Sequence, residues 1–201
     1  LYYTRNTYAI TVTADRGFST VAASGWTNTG TASMSKSFEY EASIALASVV
    51  TPSRKTGYTG TLYSKTSGSG TLSGTTFTVG AGVATITVAA TGISAPTAAI
   101  TPASTTKVYH YEATTLTAKN NTSYDSNINV YYSFGSSSSS TGSYSYGTAS
   151  TTATTSVGAA SHRGTKYYKV QVYATDGALT STTGTSDAVA VTLNNKTITF
   201  D

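Results

Sequence analysis

The stretch Tyr167-Tyr168-Lys169-Val170-Gln171-Val172-Tyr173-Ala174 places an apolar side chain at every second position. Only an extended strand, whose successive side chains point to opposite faces, turns that period into a single apolar surface. The same period returns in Tyr8-Ala9-Ile10-Thr11-Val12-Thr13-Ala14, with Tyr8, Ile10 and Val12 on one face. It returns again in Ile128-Asn129-Val130-Tyr131-Tyr132-Ser133-Phe134, with Ile128, Val130, Tyr132 and Phe134 together. A chain written this way is committed to a mainly β fold. Charged residues make up only 10% of it, so the opposite faces must be kept soluble by Ser, Thr, Gly and the hydroxyls of 16 Tyr. Uncharged polar residues alternating with Val, Ile and Tyr are the mark of solvent-facing antiparallel sheet.

With 201 residues the chain has room for one large domain or two small ones. The net charge of +4 is spread along it. A nucleic-acid partner calls for a basic patch or stripe, and none is visible. Cysteine is absent, so disulfides cannot supplement small cores. No apolar run reaches membrane-spanning length. Residues 1–7 lack the apolar stretch of a signal peptide, and the chain is expected to be a fragment of something longer.

Taken in order, Asp15-Arg16-Gly17 reads as a turn, Phe18 to Gly25 as a weak strand, and Trp26 to Gly30 as a loop tip. Met34, Phe38 and Tyr40 suggest another strand. Residues 39–50 carry Ile44, Ala47 and Val50 at helical spacing, which predicts a short helix ending at Pro52. Residues 64–70 read as a loop by composition. Thr75 to Val79 and Val83 to Ala90 read as two strands joined by a hairpin at Gly80-Ala81-Gly82. Ser94-Ala95-Pro96 and Thr101-Pro102 bracket an expected linker. Further strands are predicted over 107–112, 114–118, 128–134, 167–174 and 188–193, and the serine run 135–142 reads as a loop. Domains are therefore expected at 1–93 and 94–195, with 196–201 opening a further unit.

The stretch Thr51-Pro52-Ser53-Arg54-Lys55-Thr56-Gly57-Tyr58-Thr59-Gly60-Thr61-Leu62-Tyr63 resembles the internalin-type B repeat, or Listeria–Bacteroides repeat. That repeat runs Pro-x-Arg-x-Gly-Tyr-x-Phe-x-Gly-Trp-Tyr. Here a Lys follows the Arg, and the Phe and Trp positions are not aromatic. Ile198-Thr199-Phe200-Asp201 is similar to the opening of such repeats. The evenly spaced strands of 94–195 resemble bacterial immunoglobulin-like domains. The resemblance implies a β-grasp-like unit in tandem with an immunoglobulin-like sandwich. It further implies a non-catalytic segment of an extracellular, Gram-positive cell-surface protein, either an adhesin stalk or a binding module. Its partners would be neighbouring repeats and a host glycan or surface protein. The alternative is a polysaccharide-binding accessory module of a secreted enzyme or a phage structural protein. The short proline-bracketed linker predicts little slack between the units.

Candidate chemistry is sparse. His110 and His162 are far apart, without the spacing of metal ligands. Glu39 and Glu41 would share one face of a strand, which is a surface pattern rather than the opposed carboxylates of a glycosidase. No catalytic residue, metal ligand or cofactor is expected. Lys107, with Glu112 or Asp176 and Asn194 or Asn195, offers the residue types of a Lys–Asn cross-link. Trp26 would either cap the first core against Phe18 or Met34, or present its ring to a sugar. If Tyr168, Val170 and Val172 point inward, then Tyr167, Lys169, Gln171 and Tyr173 point outward, joined by Asn129 and Tyr131 of the neighbouring strand. Such a face suits glycan or protein recognition. It equally suits cross-strand aromatic pairing that only stabilises the sheet.

Overall fold

The computed structural model describes residues 4–108, 112–158 and 161–195. His110 and residues 196–201 lie outside the described residues. The chain folds into two compact units that divide between Gly92 and Ile93. Both are mainly β. Among the described residues no helix is long and apolar enough to cross a membrane.

The first unit contains β1 (Thr7–Ala14), β2 (Phe18–Ala22), β3 (Ser33–Glu39), β4 (Ser43–Ala45), α1 (Leu46–Val49), β5 (Thr51–Arg54), β6 (Tyr58–Thr59), β7 (Leu62–Ser73) and β8 (Thr76–Ala89). β9 (Gly92–Ile93) lies at the division. The main sheet runs β3-β1-β8-β4, and β7 takes the other edge of β8. β1 is antiparallel to β3 but parallel to β8, with Ile10 to Ala14 opposite Ala84 to Val88. Ile10, Val12, Met34, Phe77, Val79, Ile86 and Val88 are buried.

The helix expected over 39–50 shrinks to the single turn α1. Glu41 takes φ +67°, a left-handed conformation that ends any helix passing through it. Ile44 and Leu46 are both buried while Ala45 is exposed, which is strand spacing rather than helical spacing. The turn at Tyr40 and Glu41 also separates Glu39 from Glu41, so these acids do not share a strand face.

Residues 64–70 are not a loop. They lie within β7, whose hairpin with β8 turns at Gly74-Thr75 rather than at Gly80-Ala81-Gly82. Glycine here serves close backbone approach. A Cβ on Gly80 would lie 2.3 Å from the Gly70 nitrogen, and one on Gly68 would lie 2.0 Å from the Val83 oxygen. The register of β7 slips beside Lys65 and again between Gly68 and Gly70. Burial along β8 changes phase at the same place, from Phe77 and Val79 to Ala84, Ile86 and Val88. Bulges of this kind twist a long edge strand and make it a poor template for another chain.

The stretch 51–63 is the clasp of the first unit. β5 pairs with β2, and the Arg54 guanidinium lies 4.8 Å from the centre of the Phe18 ring. Arg54 also donates to the Gly60 carbonyl and to Thr61 Oγ1. Gly57 supplies φ +86° to the turn so closed, and Tyr58 is buried against Gly17.

The second unit contains β10 (Ala99–Thr101), β11 (Ser104–Val108), β12 (Thr114–Lys119), β13 (Asn129–Ser137), β14 (Ser145–Tyr146), β15 (Thr154–Val157), β16 (Gly164–Thr175), β17 (Gly184–Thr185) and β18 (Val189–Asn194). One sheet runs β10-β12-β15. The other runs β11-β18-β16-β13-β14, with β17 also on β16. β11 is parallel to β18, and the remaining pairs are antiparallel. Ile100, Leu116, Ala118, Val157, Val170, Val172, Val189, Val191 and Leu193 form the core between them, with Val130, Tyr132, Phe134 and Tyr168 packed against it.

The expected linker 94–102 belongs largely to this unit. Ile100 is buried in its core. Residues 94–97 are laced to 121–124 by the Tyr124 hydroxyl on the Ser94 carbonyl, by Thr122 Oγ1 on the Ala95 carbonyl, and by an exchange of bonds between Thr97 and residues 121 and 122. Pro96 precedes β10 and Pro102 follows it, so both stand outside the strand, where no ladder donor is needed. The serine run is likewise strand as far as Ser137. Lys107 lies opposite Leu193, whose side chain is buried, whereas Asn194 is exposed on the alternate position. The two point to opposite faces, and the Asp176 carboxylate accepts from the Ala178 and Leu179 nitrogens in its own turn. That geometry does not assemble a Lys–Asn cross-link through Asn194.

Candidate functional site

β13 and β16 pair over Asn129 to Ser137 and Tyr167 to Thr175, which fixes what shares the outward face. Tyr131 is opposite Tyr173, Ser133 is opposite Gln171, Gly135 is opposite Lys169, and Ser137 is opposite Tyr167. Val170, Val172 and Ala174 are fully buried between these positions. Tyr131, Tyr167, Lys169, Gln171 and Tyr173 thus lie together on one side of the sheet, and all are half-buried. Trp26 belongs to the first unit.

β14 continues the sheet beside β13, with Tyr146 opposite Gly135, and so adds Tyr144 and Tyr146 to the outward face. The Tyr146 ring lies on Gly135, where a Cβ would come within 2.6 Å of it. The Lys169 ammonium sits 5.0 Å from the centre of the Tyr144 ring. Ser133 donates its hydroxyl to the Gly147 carbonyl and is buried with Ser137. At the other end the Tyr131 and Tyr173 rings stack with centres 5.2 Å apart and planes 9° from parallel. Each ring spends one π face on its neighbour. Burial raises the Tyr144 phenol above its ordinary value, with the Tyr167 phenol adding to the shift. It does the same at Tyr146, with Tyr144 adding there. Tyr144 and Tyr146 follow the serine run 135–142, in a stretch for which the sequence predicts no element. Their spacing of two residues was the available signal.

His162 precedes β16 and lies against β18 of the same sheet. Its Nε2 lies 3.0 Å from the Val191 carbonyl, which can only accept, so Nε2 carries the proton. Nδ1 lies 3.1 Å from Ser161 Oγ, within hydrogen-bonding distance. Tyr168 stands beside this ring, its phenol raised by burial and partly lowered again by the Ser161 hydroxyl. Among the described residues no three His, Cys, Asp or Glu side chains gather as a metal site would require.

In the first unit Trp26 is buried, its ring centre 5.4 Å from that of Phe38. Phe38 is its ring partner. The loop carrying Trp26 is fastened to β3 by the paired backbone bonds of Thr27 and Ser35. Trp26, Lys36, Phe38, Ile44 and Val49 line a groove of about 580 Å³ with Ser24, Ser43 and Ser48.

Comparison of the chain with protein-family models, with curated proteins and with solved structures finds no match.

Proposed function

We propose that the chain is a non-catalytic stalk segment of an extracellular bacterial cell-surface protein, an adhesin built from repeats, and that it carries tension along its length. One observation carries this reading. In each unit an early strand and the last long strand are parallel neighbours. β1 lies beside β8 over Ile10 to Ala14 and Ala84 to Val88, and β11 lies beside β18 over Ser104 to Val108 and Ala190 to Asn194. The start of the earlier strand of each pair and the end of the later one then lie at opposite ends of the pair. Tension drawn through the chain slides the two strands past each other. Ladder bonds run across the strands, so sliding loads them together, whereas pulling an antiparallel hairpin apart breaks them in turn.

The strand orders support the finer fold reading. A central parallel pair flanked by antiparallel neighbours, as in β3-β1-β8-β7, suits a β-grasp-like unit that has lost its helix. A three-stranded sheet facing β11-β18-β16-β13-β14 suits an immunoglobulin-like sandwich. The clasp of Arg54 on Gly60 and Thr61 gives the residues shared with the B repeat a structural task. Neighbouring repeats in series would be the immediate partners, with a host glycan or surface protein at the end of the line.

Single-molecule pulling tests the proposal. The full chain stretched by its termini is compared with the first unit stretched through cysteines placed at Leu62 and Thr91, next to the open end of the β7–β8 hairpin. Terminal pulling is expected to need several times the force. Equal or lower force from the termini would remove the stalk reading.

A further inference from the structure

The groove beside Trp26 has a composition that the stalk reading does not use. Its floor is apolar: Trp26 and Phe38 meet there, Ile44 is buried beside them, and Val49 leaves 43% of its surface exposed at the rim. Three hydroxyls, those of Ser24, Ser43 and Ser48, stand around it. Lys36 completes the wall. Its ammonium lies 5.6 Å from the centre of the Phe38 ring and 3.5 Å from where a Cβ on Gly25 would sit. Gly25 takes φ +71° and carries no side chain, which leaves that approach open. None of the lining residues is a carboxylate. The groove therefore offers one cation, with no lining carboxylate to neutralise it, set among hydroxyls above an aromatic floor. At about 580 Å³ it falls within the size range of sites for small molecules.

We propose that this groove binds an acidic sugar, a pyranose bearing a carboxylate. Charge complementarity names the occupant. A carboxylate on the ligand supplies the anion that Lys36 lacks in the wall. The C–H face of a pyranose ring matches Phe38, Val49 and the accessible edge of Trp26, and its hydroxyls match the serines. An uncharged hydrocarbon would leave Lys36 and the serines unpaired, which costs affinity. This site lies wholly in the first unit and does not depend on the stalk reading.

Trp26 is the only tryptophan of the chain, so selective excitation of tryptophan reports on this groove alone. The full chain is titrated with tetragalacturonate and, separately, with its methyl-esterified tetramer. A saturable change in Trp26 emission in the millimolar range or below is expected for the acid, with the ester at least about tenfold weaker. Lys36→Gln should weaken the acid by about tenfold while leaving the thermal melt unchanged. Ser48→Glu, on the turn α1, should abolish binding by placing a carboxylate in the groove that holds Lys36. Lys119→Gln removes the same charge from the second unit and should change nothing. The proposal is overturned by no saturable response, by equal response to acid and ester, or by equal weakening in Lys36→Gln and Lys119→Gln.

Discussion

Tyr131 and Tyr173 stand directly opposite each other on β13 and β16, their rings stacked at 5.2 Å and within 9° of parallel. This contact spends on the sheet itself the aromatic surface that a ligand would otherwise use. Directly opposed aromatic pairs add about 0.5–1 kcal/mol beyond their burial. A double-mutant cycle of Tyr131→Ser and Tyr173→Ser should return a coupling of that size in urea unfolding. The triple change that adds Tyr167→Ser should lower the melting temperature by at least about 4–8 °C, the shift for each kcal/mol in a domain this small. An unchanged melt accompanied by lost glycan-array signal would assign the face to recognition instead.

The crossing of β7 and β8 predicts an ordering among glycines. Gly80→Ala must push its methyl into the Gly70 backbone, which cannot yield as a flexible side chain could. Gly74 in the hairpin turn has φ +58°, and nothing lies within 4 Å of the place a methyl would take there. The first substitution is expected to cost about 3 kcal/mol or more, and the second about 1–2 kcal/mol from its left-handed backbone alone. Chemical denaturation of the two variants checks this. Equal costs would mean that the crossing is looser than described.

The same crossing explains where the sequence was legible. The inward set Val170, Val172 and Ala174, and the set Ile10 and Val12, follow from period two because one face of their strand is buried along its length. Residues 64–70 carry no apolar period at all. Their strand is held by backbone pairing and by the absence of side chains, and composition reports that as a loop. β10 hid between prolines, because a strand of three residues offers one buried side chain, Ile100, and no repeat. Tyr144 and Tyr146 come onto the outward face through a connection the serine run concealed. The Trp26 groove could not be read from any one stretch. Its cation, its aromatic floor and its rim come from β3, the preceding loop and α1, and only the fold brings them together.

Two buried serines stand in for strand pairing along β16. Ser186 accepts from the Val170 nitrogen at 3.0 Å and donates to the Asp187 carbonyl, and Ser181 does the same between the Ala174 nitrogen, at 2.9 Å, and the Thr182 carbonyl. Both donors sit in the core, where an unmatched N–H costs about 1–3 kcal/mol. Ser186→Ala and Ser181→Ala should each destabilise the second unit by that amount. Ser138→Ala, on the exposed loop, should be neutral within about 0.5 kcal/mol. Neutral effects at Ser186 and Ser181 would show that water replaces the hydroxyl there.

Alkaline pH should unfold the protein through its tyrosines. Burial raises the phenols of Tyr63, Tyr124, Tyr144, Tyr146 and Tyr168 above their ordinary value of 10.0. The charged form is the basic one, so the folded state holds these protons to higher pH than the unfolded chain does. Their contribution is complete below the unfolded value. It is lost as pH rises through the raised folded values, because the unfolded chain ionises first. The melting temperature should therefore hold steady through neutral pH as far as these groups are concerned, and should fall once pH passes about 10. Tyr63 belongs to the first unit and Tyr168 to the second, and in both desolvation is the largest cause of the shift. Tyr63→Phe should blunt the alkaline fall of the first unit only, and Tyr168→Phe that of the second, because a ring without a phenol has no proton to lose. Calorimetric scans of the two variants across the alkaline range read this directly. If both follow the parent's fall unchanged, the buried phenols are not its cause.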